Sequence, residues 1–560
     1  FPLFFIKRTS AIYINKIDNS IRKYSNMKII KVISFLLLLV ESSWCQSTFQ
    51  KTYVHYVPGL ILQDHVYSVL IDSNENILAS GNTKDYFQQT SSASILKTNT
   101  NGNLLWYKLY AYAPTTNNVT ASLLLPNDNY VIAGNMSDSA WSDNSSFIFR
   151  ADSNGNLIWS KIYSFNLPNI YLNSLSNYDG SIYAGGTVNN SPTGTLQDFF
   201  FTKLDYNGSV VWSKYLNDTL NNVLHDYSVT RDGEIIFTGD RTIDNFPVNT
   251  DIYFGKLDST GQLLWSKQIL LPGYEGNRSR IRETIDGGYM IFTYTQSLGF
   301  GTFDFLILKT DSIGNVIWSK VIGTINDEAP ATINQLRDGS FSVTGYISTG
   351  SSAEAVGFNI DLSGNVSSVS TYGLTNGTRF GVSAVRNNYI VNIGDHSPSY
   401  QSMEGDFYIV KTDSTGYSGC FEAPYLFSDS TVTINTSEVN DSIINIVAPL
   451  TDVSMIAYDA TSSITETTLC MTDIENNKDS ERQINMFPNP NDGRFNLMRE
   501  NSFSTVCRIY NIFGEVVLEE TVTGSSNSFD VDLPYGIYFL SLQNGIEFKP
   551  ASIKFIILKH

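Results

Sequence analysis

The chain has 560 residues, room for two to four ordinary domains or for one large repeat domain with additions. A formal net charge of -18 and a pI near 4.7 argue against nucleic acid or an anionic membrane surface as a partner. Aromatic residues at 13% beside only 16% charged residues suit many short strands joined by polar turns, not helices.

The first 26 residues contain no methionine and are expected to be an upstream segment that is not part of the native protein. Met27 then opens "MKIIKVISFLLLLVESSWCQS". Lys28 and Lys31 form a basic start, Val32 to Val40 an apolar stretch, and small Ser43 and Cys45 precede Gln46. Residues 27–45 therefore read as a secretory signal peptide, too short to span a bilayer. Lipidation of Cys45 is the alternative, and bulky Trp44 in front of it argues against that. No other segment is long and apolar enough to cross a membrane, so the mature chain is expected to be exported.

From residue 46 to 420 the chain repeats itself. "DSNGNLIWSKIY" returns as "DYNGSVVWSKYL", "DSTGQLLWSKQI" and "DSIGNVIWSKVI". Trp106, Trp159, Trp212, Trp265 and Trp318 follow one another at intervals of 53 residues. A second phrase opens on Asn74, Asn127, Asp179, Asp232, Asp286, Asp338 and Asn387, residue types that close tight hairpins. A third, such as "DFFFTKLD", lies between the two. Each period thus holds four short strands, and many such units in series predict a β-propeller.

The hairpin phrase and the "DxxG"-type turn each occur seven times, so seven four-stranded blades are expected. The seventh copy reaches Cys420 and Pro424 without an outer strand, whereas "FQKTY" (Phe49 to Tyr53) matches the Trp strand without a blade before it. That N-terminal strand should complete blade seven and remove its open edge. The five tryptophans read as packing residues between blades, with ligand contact as the alternative. These phrases resemble secreted bacterial β-propeller repeats over residues 49–420 and, more distantly, the tryptophan-docking blades of quinoprotein dehydrogenases. The chain lacks the adjacent cysteines and the eight blades of the latter family.

Residues 421–483 read as a β-rich linker, ending in the charged "TDIENNKDSERQ". A Cys420–Cys470 disulfide is the natural pairing in an exported protein, with two free buried thiols as the alternative. Residues 484–560 read as a small antiparallel β-sandwich. "INMFPNPNDGRFNL", "CRIYNIFGEVV" and "VDLPYGIYFLSL" carry Pro488, Asn489, Pro490, Gly493, Gly514, Gly536 and Tyr538. These motifs resemble the type A C-terminal sorting domain of the type IX secretion system of Bacteroidetes. The resemblance implies handling by that secretion machinery, removal of the domain by a sortase-like peptidase, and release or anchoring at the cell surface.

The sequence spells no catalytic site, and neither a metal nor a cofactor is expected. His65, His225 and His396 fall in different repeats without metal-ligand spacing. Asp198, Asp251, Asp304 and Asp406, opening third strands, should bond backbone amides, with calcium ligation as the alternative. Asp152, Asp205, Asp258 and Asp311 should form turns, with the same alternative. Strand alternation puts the short regular turns on one face and the long dissimilar connections on the other. Trp141, Phe246, Tyr274, Phe300 and Tyr400 lie on the long-loop side and are candidate ligand-binding residues, although each could instead pack beneath its own loop. The reading is a non-catalytic exported propeller binding a glycan or a protein. The alternatives are an extracellular polysaccharide-degrading enzyme working in the central channel and a structural surface component.

Overall fold

A computed structural model describes residues 47–472 apart from 86–90, 113–114, 138–143, 164–168, 190–195, 246–247, 351, 374–376, 397–404 and 449. It also describes 484–487, 493–499, 505–511, 516–524, 526–534, 536–543 and 551–557. The signal peptide and the upstream segment lie outside the described residues. The chain divides into a unit ending at Asp473 and a second one beginning at Ile474.

The first unit is a seven-bladed β-propeller. Blades one to six are meanders over residues 62–111, 116–163, 170–217, 221–269, 280–323 and 327–372. Their innermost strands sit side by side in chain order, and Leu62–Ile71 of blade one also lies against Thr378–Arg386 of blade seven, so the ring closes. Blade seven takes three strands from 378–413 and its fourth, Thr48–His55, from the N-terminus. Phe49 and Tyr53 of that strand are fully buried. The expected closure is present: Phe49 pairs with Lys411 and Tyr53 with Phe407.

The blades differ from expectation in one respect. Each has five strands, and the fifth comes from residues 421–472. That stretch is not a linker. It runs around the outside of the ring against the blade order, pairing in turn with blades six, five, four, three, two, one and seven. The strand on blade four is only Ser437–Glu438. Each belt strand covers the backbone edge that the fourth strand of its blade would otherwise leave open.

A seven-residue step underlies the belt. The N–H groups of Val439, Ile446, Val453 and Ala460 each bond a blade carbonyl, on Ser266, Ser213, Ser160 and Tyr107, all at 3.0 Å. Seven extended residues reach about 23 Å, and each such step carries the belt from one blade edge to the next. Two positions beyond three of these anchors or their equivalents, Ile434, Ala448 and Met455 are buried and plug the cores between blades. One position before three of them, Glu438, Asp452 and Asp459 follow the same step. Glu438 and Asp452 pair with the lysines of the blade "WSK" phrases: Lys267 with Glu438 at 3.0 Å and Lys161 with Asp452 at 2.6 Å.

Seven steps of seven residues make one circuit, and the Cys420–Cys470 disulfide spans 50 positions. The bond therefore fastens the two ends of the belt to each other on blade seven, where Gln50 pairs with Cys470 in register and its side-chain amide donates to the Cys420 carbonyl at 2.5 Å.

The second unit contains a three-stranded and a four-stranded antiparallel sheet. Phe495, Leu497, Cys507, Ile509 and Leu540 form its core, and the Cys507 side chain is buried within it. Among the described residues of the whole chain, no helix is long and apolar enough to cross a membrane.

Candidate functional site

The five repeated tryptophans lie between blades. A Cβ on Gly155 of blade two would fall 3.0 Å from Trp106 of blade one, and one on Gly208 of blade three 3.1 Å from Trp159. Both glycines have positive φ, 76° and 77°, so the turn demands the residue and the neighbouring indole uses the space it leaves. Gly261 and Gly314 meet Trp212 and Trp265 in the same way, and Gly364 meets Trp318 at 3.5 Å. Trp159 and Trp318 also donate their indole N–H to the carbonyls of Tyr206 and Leu362 in the next blade. On the N-terminal strand, Phe49 takes this place against Gly102.

The turn face is uniform. The carboxylate of Asp152 accepts the backbone N–H groups of Asn154 at 2.9 Å and Asn156 at 2.8 Å. Asp205, Asp258 and Asp311 bond the second and fourth residues after them in the same way. These bonds hold the Asp152, Asp258 and Asp311 carboxyls below their ordinary pKa against the opposing effect of partial burial.

The third-strand aspartates lie on the opposite face, and Asp198, Asp251 and Asp304 are buried. Asp304 accepts the N–H groups of Phe300 and Gly301, and Asp251 that of Leu271. Asp198 lies 3.5 Å from the side-chain amide of Asn222, and Asp406 opens its strand without being buried. Burial pushes Asp251 up to about 6 and also raises Asp304. Beside Asp304, buried Glu328 is pushed up to about 7, mainly by desolvation. Among the described residues no group of three or more potential ligands gathers around a metal position.

Of the five loop aromatics, Trp141, Phe246 and Tyr400 lie outside the described residues. Tyr274 and Phe300 fall on the same side of the ring, in the connection leading into blade five and in a loop within that blade. The Tyr274 ring lies 6.2 Å from that of Tyr294, which in turn meets Phe303 edge-on at 5.0 Å. Tyr274 is half-buried and its hydroxyl accepts from the Asn277 side chain at 2.7 Å. Phe300 remains 41% exposed, so the pair combines an anchored ring with a free one.

Two recesses open here that the sequence did not single out. One, of about 390 Å³, lies between blades one and two and includes His65, Tyr67, Lys84 and Asn118. His65 bonds Asp395 of blade seven at 3.2 Å, and that bond raises its pKa against the opposing effect of burial. The other, of about 370 Å³, is the central channel, lined by the innermost strands of all seven blades. Six of these strands carry a register irregularity at one equivalent position, occupied by Tyr67, Thr120, Asn173, His225, Ala331 and Gly381. A bulge re-aims a side chain out of the regular pleat, and here the residue type changes from blade to blade. Thr120 and Asn173 spend their polar groups on carbonyls of the next blade, Leu172 and Leu224. His225 faces Asp240 at 3.4 Å. His396, from blade seven, instead lies near Thr378, and burial lowers its pKa.

Residues 485–558 match the family described as the secretion system C-terminal sorting domain. The chain is exported by the type IX route to the cell surface or the extracellular space. Within that unit, Pro488, Asn489, Pro490 and Gly514 lie outside the described residues. Gly493 adopts a φ of 102°, Gly536 opens a strand, and Tyr538 donates to the Pro534 carbonyl at 2.7 Å.

No curated protein matches the chain. Among solved structures, a protein of unknown function from Dyadobacter fermentans is similar at 12% identity and TM-score 0.40, covering 65% of this chain and 98% of that one. The β-propeller domain of the Trilobed protease from Pyrococcus furiosus is similar at 10% identity and TM-score 0.36, over 63% and 95%. PorZ, a surface component of the type IX secretion system of Porphyromonas gingivalis, gives 9% and 0.18, over 90% and 100%. At these levels the similarities say nothing about what the propeller does.

Proposed function

We propose that the exported propeller is a non-catalytic binding protein that engages a glycan or a protein through its long-loop face. The asymmetry between the two faces carries this reading. One face repeats a single hydrogen-bonded turn, whereas the other holds connections of unlike length and chemistry, among them the Tyr274–Tyr294–Phe303 cluster beside exposed Phe300. Ordering long loops costs about 1–2 kcal/mol per residue, and variable loops on a rigid scaffold are where binding sites usually arise.

The test is a glycan array and a surface-protein pulldown with the secreted protein, followed by Phe300→Ala and Trp141→Ala variants. Aromatic anchors at the centre of an interface contribute about 2 kcal/mol or more, roughly a thirtyfold loss of affinity on truncation. Both variants should lose binding without a change in melting temperature. Undiminished binding by both would place the working surface elsewhere. An activity screen on acidic and neutral polysaccharides separates the enzyme alternative, which requires turnover and not retention alone.

A further inference from the structure

The innermost strand of blade five carries an unusual run of charge. Arg278, Arg280 and Arg282 alternate along "RSRIRE". Their environments differ. Arg278 is exposed at the beginning of the run and stacks over Tyr346, with its guanidinium 3.2 Å from the phenol oxygen. Arg379 of blade seven lies over the same ring, 5.3 Å from its centre. Arg282 pairs with Asp226 of blade four at 2.5 Å.

Arg280 lies between them, in the wall of the central channel. Among the described residues it has no ion pair, and its guanidinium donates only to the backbone carbonyls of Ser279 at 3.2 Å and Arg278 at 3.5 Å. Among the described residues Asp226 is the one carboxylate in the channel lining, and it already accepts from Arg282 and from the Ile281 N–H. His225 is turned to Asp240. The channel therefore holds two guanidinium groups and one carboxylate inside a chain whose net charge is -18. Burial, with Arg282 and Arg278 beside it, lowers the Arg280 pKa, whereas Asp226 acts in the opposite sense. Arg280 is half-buried, and the nearby Asp226 carboxylate is bonded to Arg282 and not to it.

We propose that the central channel is a binding site for one carboxylate, carried by an acidic sugar such as a hexuronate, with Arg280 as its principal contact. A guanidinium fork matches a carboxylate bidentately, which suits a single fixed oxyanion. The rest of the lining is largely neutral and polar: Thr332 bonds Thr344 and Ser383, Asn334 donates to Ser383, Ser68 accepts from Ser122, and Ser174 lies beside them. A volume of about 370 Å³ lies at the small end of ligand pockets and fits one or two sugar rings. The overall negative charge does not oppose this, because exposed charges farther away than about 8 Å are largely screened at physiological salt.

The site stands independently of the loop-face reading, and the experiment keeps the two apart. The full secreted chain is titrated calorimetrically with glucuronate, glucose and inorganic sulfate. Saturable binding of glucuronate, none of glucose, and loss of the glucuronate signal in Arg280→Gln are expected. Arg280→Lys keeps the charge but not the fork and should bind about tenfold more weakly, which retains a test should the glutamine variant not fold. Phe300→Ala, on the loop face, should bind glucuronate as the native protein does. Equal binding of glucose, binding of sulfate without glucuronate, or full glucuronate affinity in Arg280→Gln would overturn the proposal.

Discussion

A blade and the belt around it are both antiparallel β-structure, yet they reach it differently. Apart from the belt strand, blades one to six each form from one continuous stretch of about fifty residues, and only blade seven takes a strand from elsewhere, Thr48–His55. The belt meets each blade only after the whole propeller sequence has passed, as in the Lys51–Glu466 pair, 415 positions apart. Belt strands of two to five residues, such as Ser437–Glu438 and Ser428–Val432, have no stability of their own and require a preformed edge. Blades are thus written locally, and the belt is templated. Loop-closure entropy for such distant pairings must be met before they stabilise anything, so the belt should dock last.

The strongest test of this division is removal of Phe49 to Tyr53. That strand lies between the blade-seven strand Asp406–Asp413 and the last belt strand, so its loss removes pairings on both sides. We expect a marked fall in melting temperature and loss of protease resistance in residues 421–472. A truncated propeller that melts like the intact one would refute the closure.

Next in size come the interblade indoles. Trp159→Ala or Trp212→Ala should destabilise by about 3–5 kcal/mol in denaturant unfolding, because each leaves a cavity beside a glycine turn that cannot collapse into it. A comparable effect is expected at the belt clasp. Replacing both Cys420 and Cys470 by Ser should cost about 4 kcal/mol in the chain-entropy picture for a loop of this length. The distinction lies in where the effect appears. Hydrogen exchange should accelerate in the belt of the cysteine variant while the blades remain protected, and the Trp variants should loosen two adjacent blades together.

The smallest expected effect is a pH dependence that separates belt from blade. Where other belt steps insert Ile434, Ala448 or Met455, the step at blade four inserts Asp441, which accepts from Ser266 at 2.9 Å and from the Tyr253 hydroxyl. Burial and nearby Asp218 push Asp441 up to about 6, and Glu328 in blade six is pushed up to about 7. For both acids the folded pKa exceeds the unfolded value. Their stabilising contribution is therefore complete below about pH 4 and is lost as pH rises through 6 and 7. Melting temperature should fall between about pH 4 and 7. Asp441→Asn should flatten the lower part of that decline and Glu328→Gln the upper part. An unchanged profile in both variants would dissociate the decline from these carboxyls.

Much of the propeller was legible because its determinants are local and repeated. The Asx turns and the glycine turns announce one unit seven times, five tryptophans mark its 53-residue interval, and "FQKTY" carries the same pattern to the N-terminus. The Cys420–Cys470 pairing was legible as well, although not what it fastens. The candidate site was legible only in part. The loop aromatics could be seen, but the channel could not, because its wall takes one short segment from every blade and its bulged positions differ in residue type. The arginine alternation in "RSRIRE" was the available signal, and only the position of the strand turns it towards the channel.

Residues 421–472 mark the boundary between the two kinds of information. Their seven-residue step is present in the sequence, in Val432, Val439, Ile446, Val453 and Ala460. Seven is neither the two-residue period of a strand nor the period of a helix, so on its own it predicts no regular element. It acquires meaning only from the distance between neighbouring blade edges. The sequence by itself determined a ring of seven blades, its closure and its exported destination, since turns, alternation and sorting motifs act through near neighbours. The tertiary structure alone decided that a stretch resembling a linker becomes the fifth strand of every blade, because its hydrogen-bond partners exist only once the ring has closed.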